Sequence, residues 1–106
     1  MNQNHTGNIP CGVPKTANPA LSNDVNFFRG ADIRWGLGYM MNLQAGPNGR
    51  SAGTFSWGGL YNTYYWLDPV KKVAALIMTQ ILPFADTKTV KLYGQLESAV
   101  YDTLKS

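Results

Sequence analysis

The chain of 106 residues holds one histidine, His5, one cysteine, Cys11, and six carboxylates, Asp24, Asp32, Asp68, Asp86, Glu97 and Asp102. A serine or cysteine hydrolase of the triad type needs an imidazole as general base, and His5 lies in a loose terminal stretch, which argues against that mechanism. Cys11 sits between Pro10 and Gly12 with no basic neighbour in sequence, so it reads as an unreactive loop thiol. The acids fall singly at turns, at a helix start or on an outer helix face; they read as solvated or capping groups, with no pair suited to acid/base work. No Cys/His spacing suggests a metal, and neither metal nor cofactor is expected. One stretch asks for a chemical explanation: "FSWGGLYNTYYWLDP", Phe55 to Pro69, in which Gly58 and Gly59 stand between Trp57 and a run of aromatics. A glycine pair can form a hairpin turn or a bulge, where positive φ is needed. It can also leave a strand edge bare, so that a backbone N–H points at a bound ligand. Residue types alone leave both readings open.

The elements that must position this stretch follow from periodicity. Residues 1 to 31 carry Pro10, Pro14 and Pro19 among Asn, Gly and Thr, with Phe27-Phe28 as the one strong apolar pair, and read as an extended N-terminal arm. From Ile33 to Leu43 apolar and other residues alternate with the period of a strand. Gly46-Pro47-Asn48-Gly49 favours a reversal, after which Ala52 to Trp57 returns as a second strand. Tyr61 to Leu67 alternates again, and Asp68-Pro69 begins a turn. "VAALIMTQ", Val73 to Gln80, is apolar on both faces, the pattern of a strand in the middle of a sheet. Asp86 or Thr87 is the expected N-cap of a closing helix, in which Val90, Tyr93, Leu96, Val100 and Leu104 recur at helical spacing. The expected fold is α+β: an antiparallel meander of about four strands over residues 32–106, with a C-terminal helix packed on one face.

Composition narrows the class. Charged residues make up 14% of the chain, against roughly 25% in an average soluble domain, and aromatics 12%. The net charge of +3 comes from scattered Lys and Arg, with only Lys71-Lys72 adjacent, so nucleic-acid binding is not expected. The N-terminus lacks the cationic start and apolar core of a signal peptide, and the longest apolar run is far short of the ~18 residues that span a bilayer. A cytoplasmic location without membrane contact is the expectation.

From about Arg34 onward, "RWGLGYM", "GPNGRSAGTFSWGGLYNTYYWLDP" and "KVAALIMTQILPFAD" resemble, in order and spacing, the C-terminal end of β-lactamase-like serine hydrolases. The likeness is greatest to the carboxylesterases related to class C β-lactamases and penicillin-binding proteins; "TANPALSNDV" is similar more weakly. The resemblance implies a partial β-lactamase/transpeptidase-like fold. It also implies that Trp57-Gly58-Gly59 is the third active-site motif, Lys-Thr-Gly in the lactamases. Leu60 would then offer its backbone N–H as one of two oxyanion-hole donors. Gly58 and Gly59 would stay small so that substrate lies along the strand, and Trp57 would shape an apolar pocket favouring esters over β-lactams.

The same resemblance exposes a departure. The family needs Ser-x-x-Lys and a Tyr-x-Asn or Ser-x-Asn element, and neither occurs: three places beyond Ser22, Ser51, Ser56 and Ser98 stand Val25, Thr54, Gly59 and Tyr101. The expectation is a hydrolase fragment, inactive alone, whose partner is a missing N-terminal hydrolase half. In the family the strand equivalent to Val73–Gln80 is central, so here it would have an open edge, and a homodimer through that edge or through the N-terminal arm is expected. The alternative function is a non-catalytic binding or oligomerisation module that uses Tyr61, Tyr64, Tyr65 and Trp66 for packing.

Overall fold

A computed structural model describes residues 3–25 and 32–105, which form one antiparallel sheet with a single helix against it. The strands are β1 (Ile33–Trp35), β2 (Met40–Asn42), β3 (Phe55–Gly59), β4 (Thr63–Asp68) and β5 (Val73–Ile77), followed by α1 (Thr87–Leu104). They lie side by side in chain order, β1 to β5, each antiparallel to the last. The α+β meander is as expected, but it has five strands rather than about four.

The extra strand arises because the stretch from Ile33 to Leu43 is a hairpin and not one strand. Gly36 N–H donates to Tyr39 C=O at 2.9 Å, which closes a tight loop over Leu37 and Gly38. The alternation was genuine, but two of its members, Gly36 and Gly38, have no side chain to hold an extended segment against a core. β3 likewise begins three residues later than Ala52 and runs through both glycines. β5 stops at Ile77, short of Gln80. It is the last strand of the sheet and not a central one. Ala74 and Leu76 are exposed, while Val73, Ala75 and Ile77 alternate with them toward the core.

Register sorts the side chains onto two faces. Tyr64 and Trp66 of β4 point to α1 and are buried with Phe84, Ala85, Tyr93 and Tyr101. Tyr64 stacks on Tyr93 with ring centroids 5.0 Å apart, and Trp66 meets the same ring edge-on at 5.6 Å. Large aromatics supply most of this small core, and such pairs add to what burial alone contributes. The helix starts at Asp86, whose carboxylate accepts from Thr89 N–H at 3.0 Å and from the Thr89 hydroxyl at 2.9 Å, so the first of the two expected caps is used. Its buried stripe is Thr89, Tyr93, Glu97 and Tyr101, four residues apart, and Leu104 is left exposed.

Two of the acids read as solvated or capping groups are inside. Glu97 and Asp68 are each 1% exposed. Glu97 faces Arg50, from the loop between β2 and β3, as a fork: Arg50 Nη2 donates to Oε2 at 2.9 Å and Nε lies 2.8 Å from Oε1. Arg50 also donates to the Tyr93 hydroxyl at 2.8 Å and lies over the Trp66 and Tyr93 rings. A buried guanidinium is tolerable only with such matching. Asp68 accepts from Ser51 N–H and the Tyr101 hydroxyl on one oxygen, and from Val70 and Lys71 N–H on the other. Tyr101 in turn accepts from Trp66 Nε1 at 3.1 Å. The 46–50 turn, the β4–β5 turn and the helix are thereby tied through two carboxylates.

The N-terminal arm is partly docked. His5 N–H donates to Trp35 C=O and Cys11 N–H to Ile33 C=O, both at 2.8 Å, so residues 5–11 run along the outer side of β1. Further on, Ser22 bridges to Phe84, where Asn23 and Phe84 N–H groups donate to Phe84 and Leu21 carbonyls. Phe27-Phe28 and the end of the arm lie outside the described residues.

Removing one member of the Arg50–Glu97 pair strands the other charge. Glu97→Ala should therefore lower the unfolding free energy by about 3–5 kcal/mol, and Arg50→Met with Glu97→Leu should recover most of it, as read from urea denaturation. For Asp68, burial raises the carboxyl pKa, but the N–H donors of Lys71 and Ser51 and the Tyr101 hydroxyl outweigh it and bring it to about 2. A folded-state pKa below the unfolded one contributes stability above the unfolded value, and that stability is lost as pH falls through the folded value. Denaturation series should show stability falling between pH 3.8 and about 2, with a shallower fall in Asp68→Asn.

Candidate functional site

Gly58 and Gly59 answer to different demands. Gly58 pairs with Tyr64 on the helix side of the sheet, and a Cβ there would lie 2.6 Å from Tyr64 Cδ1 and 3.1 Å from the Thr63 carbonyl oxygen. The Tyr64 ring occupies the space a side chain would take, so the core itself requires glycine. Gly59 pairs with Thr63 on the opposite face, where the nearest atom to a Cβ is 3.8 Å away. Neither glycine takes positive φ, and neither is in the turn. The hairpin-turn reading of the pair is therefore corrected: the loop is Leu60–Tyr61–Asn62, and the left-handed residue is Asn62, with φ 63°. Asn62 N–H donates to Gly59 C=O at 3.0 Å, the pattern of a three-residue hairpin loop whose last residue is left-handed.

The edge of β3 near the glycines is bare on one side. β2 pairs with β3 only at Phe55 and Ser56, whereas β4 follows it through Trp57, Gly58 and Gly59. Among the described strands, none continues past Ser56 on the β2 side. Trp57 is half-buried at this point, edge-on to Trp35 at 4.9 Å and 6.3 Å from Phe84. Trp35 Nε1 donates to Cys11 Sγ at 3.3 Å, which accounts for that thiol in packing terms. Leu60 and Tyr61 follow at the rim with about half their surface in solvent.

The face of the sheet away from α1 is apolar and open. Tyr65, Leu67, Ala74 and Leu76 line a shallow depression across β4 and β5, and a second lies beside it around Phe55 and Pro69. Tyr39 packs on Phe55 and Tyr65 at one end of this face. Leu76 and Met78 are exposed at the other.

The buried tyrosines among the described residues are held protonated. Burial pushes the Tyr64 hydroxyl up to about 12, against the lowering effect of Ala85 N–H, and it donates to Asn62 Oδ1. Burial also raises Tyr65, Tyr93 and Tyr101. A tyrosine that takes protons at neutral pH needs the opposite shift. Asp24, held low by Thr16 N–H and Lys15, and Asp86, held low by Thr89, are structural anions. Among the described residues no three His, Cys, Asp or Glu side chains cluster in a way that could hold a metal ion, and no helix is long and apolar enough to cross a membrane.

Of the residues singled out from sequence, Trp57, Gly58, Gly59 and Leu60 form one rim, while His5 and the acids are engaged elsewhere. What sequence reasoning missed is Asn62, together with Trp35 and Phe84 as the walls around Trp57. The run read as alternating from Tyr61 begins as a strand only at Thr63, and Asn62, the one member of that run with poor β-propensity, was the available sign.

Comparisons with known proteins agree with this fold. The Beta-lactamase family model matches residues 12–99. Simvastatin synthase (LovD) from Aspergillus terreus, as the LovD6 mutant, superposes with a TM-score of 0.66 at 27% identity, over 71% of this chain and 19% of that one. The LovD9 mutant gives 0.67 at 26%, over 71% and 20%. The unliganded selenomethionyl LovD gives 0.65 at 28%, over 69% and 19%. The chain thus spans about a fifth of the length of these structures. No curated protein matches it.

The two glycines should separate on substitution. Gly58→Ala is expected to cost about 1–3 kcal/mol through overpacking against Tyr64. Gly59→Ala should be neutral or gain about 0.4–1 kcal/mol by restricting the unfolded chain. Thermal and urea unfolding of the two variants measures the difference.

Proposed function

Because the chain belongs to the Beta-lactamase family, we propose that it forms one wall of an esterase-type acyl-transfer cleft and leaves the nucleophile to a segment outside these 106 residues. The observation that carries this reading is Gly59: nothing in the fold needs it bare, yet it lies where β3 has lost its neighbour, beside Trp57 and one residue before Leu60. An ester laid along that edge would place its carbonyl oxygen toward the Leu60 N–H, with Trp57 against the acyl or alcohol group. A serine from the completing segment attacks the carbonyl carbon while its proton passes to the lysine of the same Ser-x-x-Lys, which returns it to the leaving alcohol, and the carbonyl oxygen takes up negative charge. The Leu60 amide and the serine's own amide donate to it, the carbonyl re-forms as the alcohol leaves, and water releases the acyl group by the same route. A single such donor is worth about 2.7–4 kcal/mol of transition-state stabilisation. Trp57 brings no cation, which suits a neutral ester better than a carboxylate-bearing lactam.

The side of β5 away from β4 would take a strand of the completing segment, and the apolar face around Tyr65, Leu67 and Leu76 would pack beneath it. In the isolated chain a second copy would occupy that edge, since Val73–Ile77 carries neither charge nor proline to discourage pairing. The same exposed surface favours a second reading, a non-catalytic module that binds through its sheet.

Mixing tests both. The pure chain should neither label with a fluorophosphonate serine probe nor hydrolyse a chromogenic short-chain ester, and it should elute as a dimer. Adding the N-terminal portion of a family member, cut before its own third-motif strand and carrying Ser-x-x-Lys, should give a one-to-one complex that does both. Labelling of the pure chain would overturn the inactive-fragment reading; a complex that forms without activity would favour the binding module.

A further inference from the structure

We propose that Asn62 is the positioning residue for the Leu60 amide, an inference that rests on the reading of Leu60 given above and concerns what holds that amide in place. The loop that presents Leu60 is unusual in being exposed at its tip and fastened from below. Leu60 and Tyr61 have 46% and 50% of their surface in solvent, whereas Asn62 has none. The Asn62 side chain uses both ends. Its Nδ2 donates to the Ile81 carbonyl at 2.7 Å and the Pro83 carbonyl at 2.8 Å, and its Oδ1 accepts from Asp86 N–H at 3.0 Å and from the Tyr64 hydroxyl.

The backbone of the loop is held as well. The Thr79 hydroxyl lies within hydrogen-bond distance of the Tyr61 carbonyl at 2.6 Å and the Asn62 carbonyl at 2.9 Å, and Ile81 N–H donates to the Tyr61 carbonyl at 3.2 Å. Residues 79–86 thus form a cradle under residues 61 and 62. In a three-residue hairpin loop the direction of each N–H follows from the φ and ψ of its neighbours. Asn62 sets the last of these by taking a conformation that a side chain other than Asn, Asp or Gly rarely adopts. A glycine would satisfy the backbone alone; only Asn also supplies two donors and an acceptor to the cradle. Electrostatic stabilisation of an oxyanion depends on a donor already oriented before the charge develops. The buried amide therefore does for Leu60 what no contact of the exposed Leu60 side chain does.

The test compares Asn62→Gly, which keeps left-handed φ and deletes the side-chain bonds, with Thr79→Val, which deletes only the hydroxyl contacts and serves if the first variant unfolds. In the 15N-labelled chain, order parameters of the Leu60 and Tyr61 amides should be near the rigid value of about 0.85 and fall below about 0.6 in Asn62→Gly, with Trp66 and Tyr93 unmoved. Thr79→Val should show a smaller change at the same two amides. In the two-part enzyme, Asn62→Gly should reduce kcat by at least about tenfold, approaching the factor of about 10² to 10³ for a lost oxyanion donor, with KM little changed. Rigid amides in both variants, or mobile amides with unchanged kcat, would overturn the proposal. If the wild-type mixture never labels with the serine probe, the reading of Leu60 fails together with any catalytic role for Asn62, while the relaxation data still report the cradle separately.

Discussion

A guanidinium enclosed by aromatic rings has to find its counter-charge within the protein, and this need organises the molecule. Arg50 comes from the loop between β2 and β3, Glu97 from the middle of α1, and Tyr93 stands between them with its hydroxyl also donating to the Tyr65 carbonyl at 3.2 Å. The pair can form only when the helix lies across the sheet at one height and one rotation. Asp68 fixes the second point of contact by joining the Ser51 amide to Tyr101. Desolvating these charges costs enough that their net contribution to stability is small. Their effect is on registry: a helix sliding along an aromatic face loses little packing, but it would leave Arg50 without its carboxylate.

With the helix locked on one side, everything available to a ligand is on the other side or at the rim. The aromatic run of β4 is divided accordingly. Tyr64 and Trp66 are consumed by the core, and Tyr65 faces the open surface. The paired glycines divide in the same way. Gly58 makes room for a ring of the protein's own, whereas a Cβ at Gly59 would meet nothing closer than ordinary van der Waals contact. One dipeptide therefore holds one glycine that packing demands and one that it does not, a distinction visible only when the neighbour of each missing Cβ is known.

Much of this was legible from residue order. The meander, the closing helix and its Asp86 cap follow from periodicity and capping chemistry, and the family follows from the resemblance. The failures have physical causes. Ile33 to Leu43 was read as one strand because alternation registers polarity but not absent side chains, and two glycines let it fold back. Glu97 was placed in solvent because it is charged, although it stands four residues from both Tyr93 and Tyr101 and so shares their stripe. Its partner is 47 residues away, from a loop whose conformation no local pattern specifies. Asn62 escaped notice because it was counted within the alternating run from Tyr61 to Leu67, whereas β4 starts at Thr63 and the carbonyls Asn62 holds belong to residues 81 and 83.

The two lateral margins of the sheet are treated unequally. Along β1 the chain's own residues 5–11 lie against the strand and use its carbonyls, while the far side of β5 has no such cover among the described residues. A ribbon adhesive at both margins adds units without limit and becomes a filament, whereas one adhesive at a single margin is saturated by its first joining event. The docked arm covers the β1 margin, and among the described residues the β5 margin alone keeps its backbone groups open to a pairing strand.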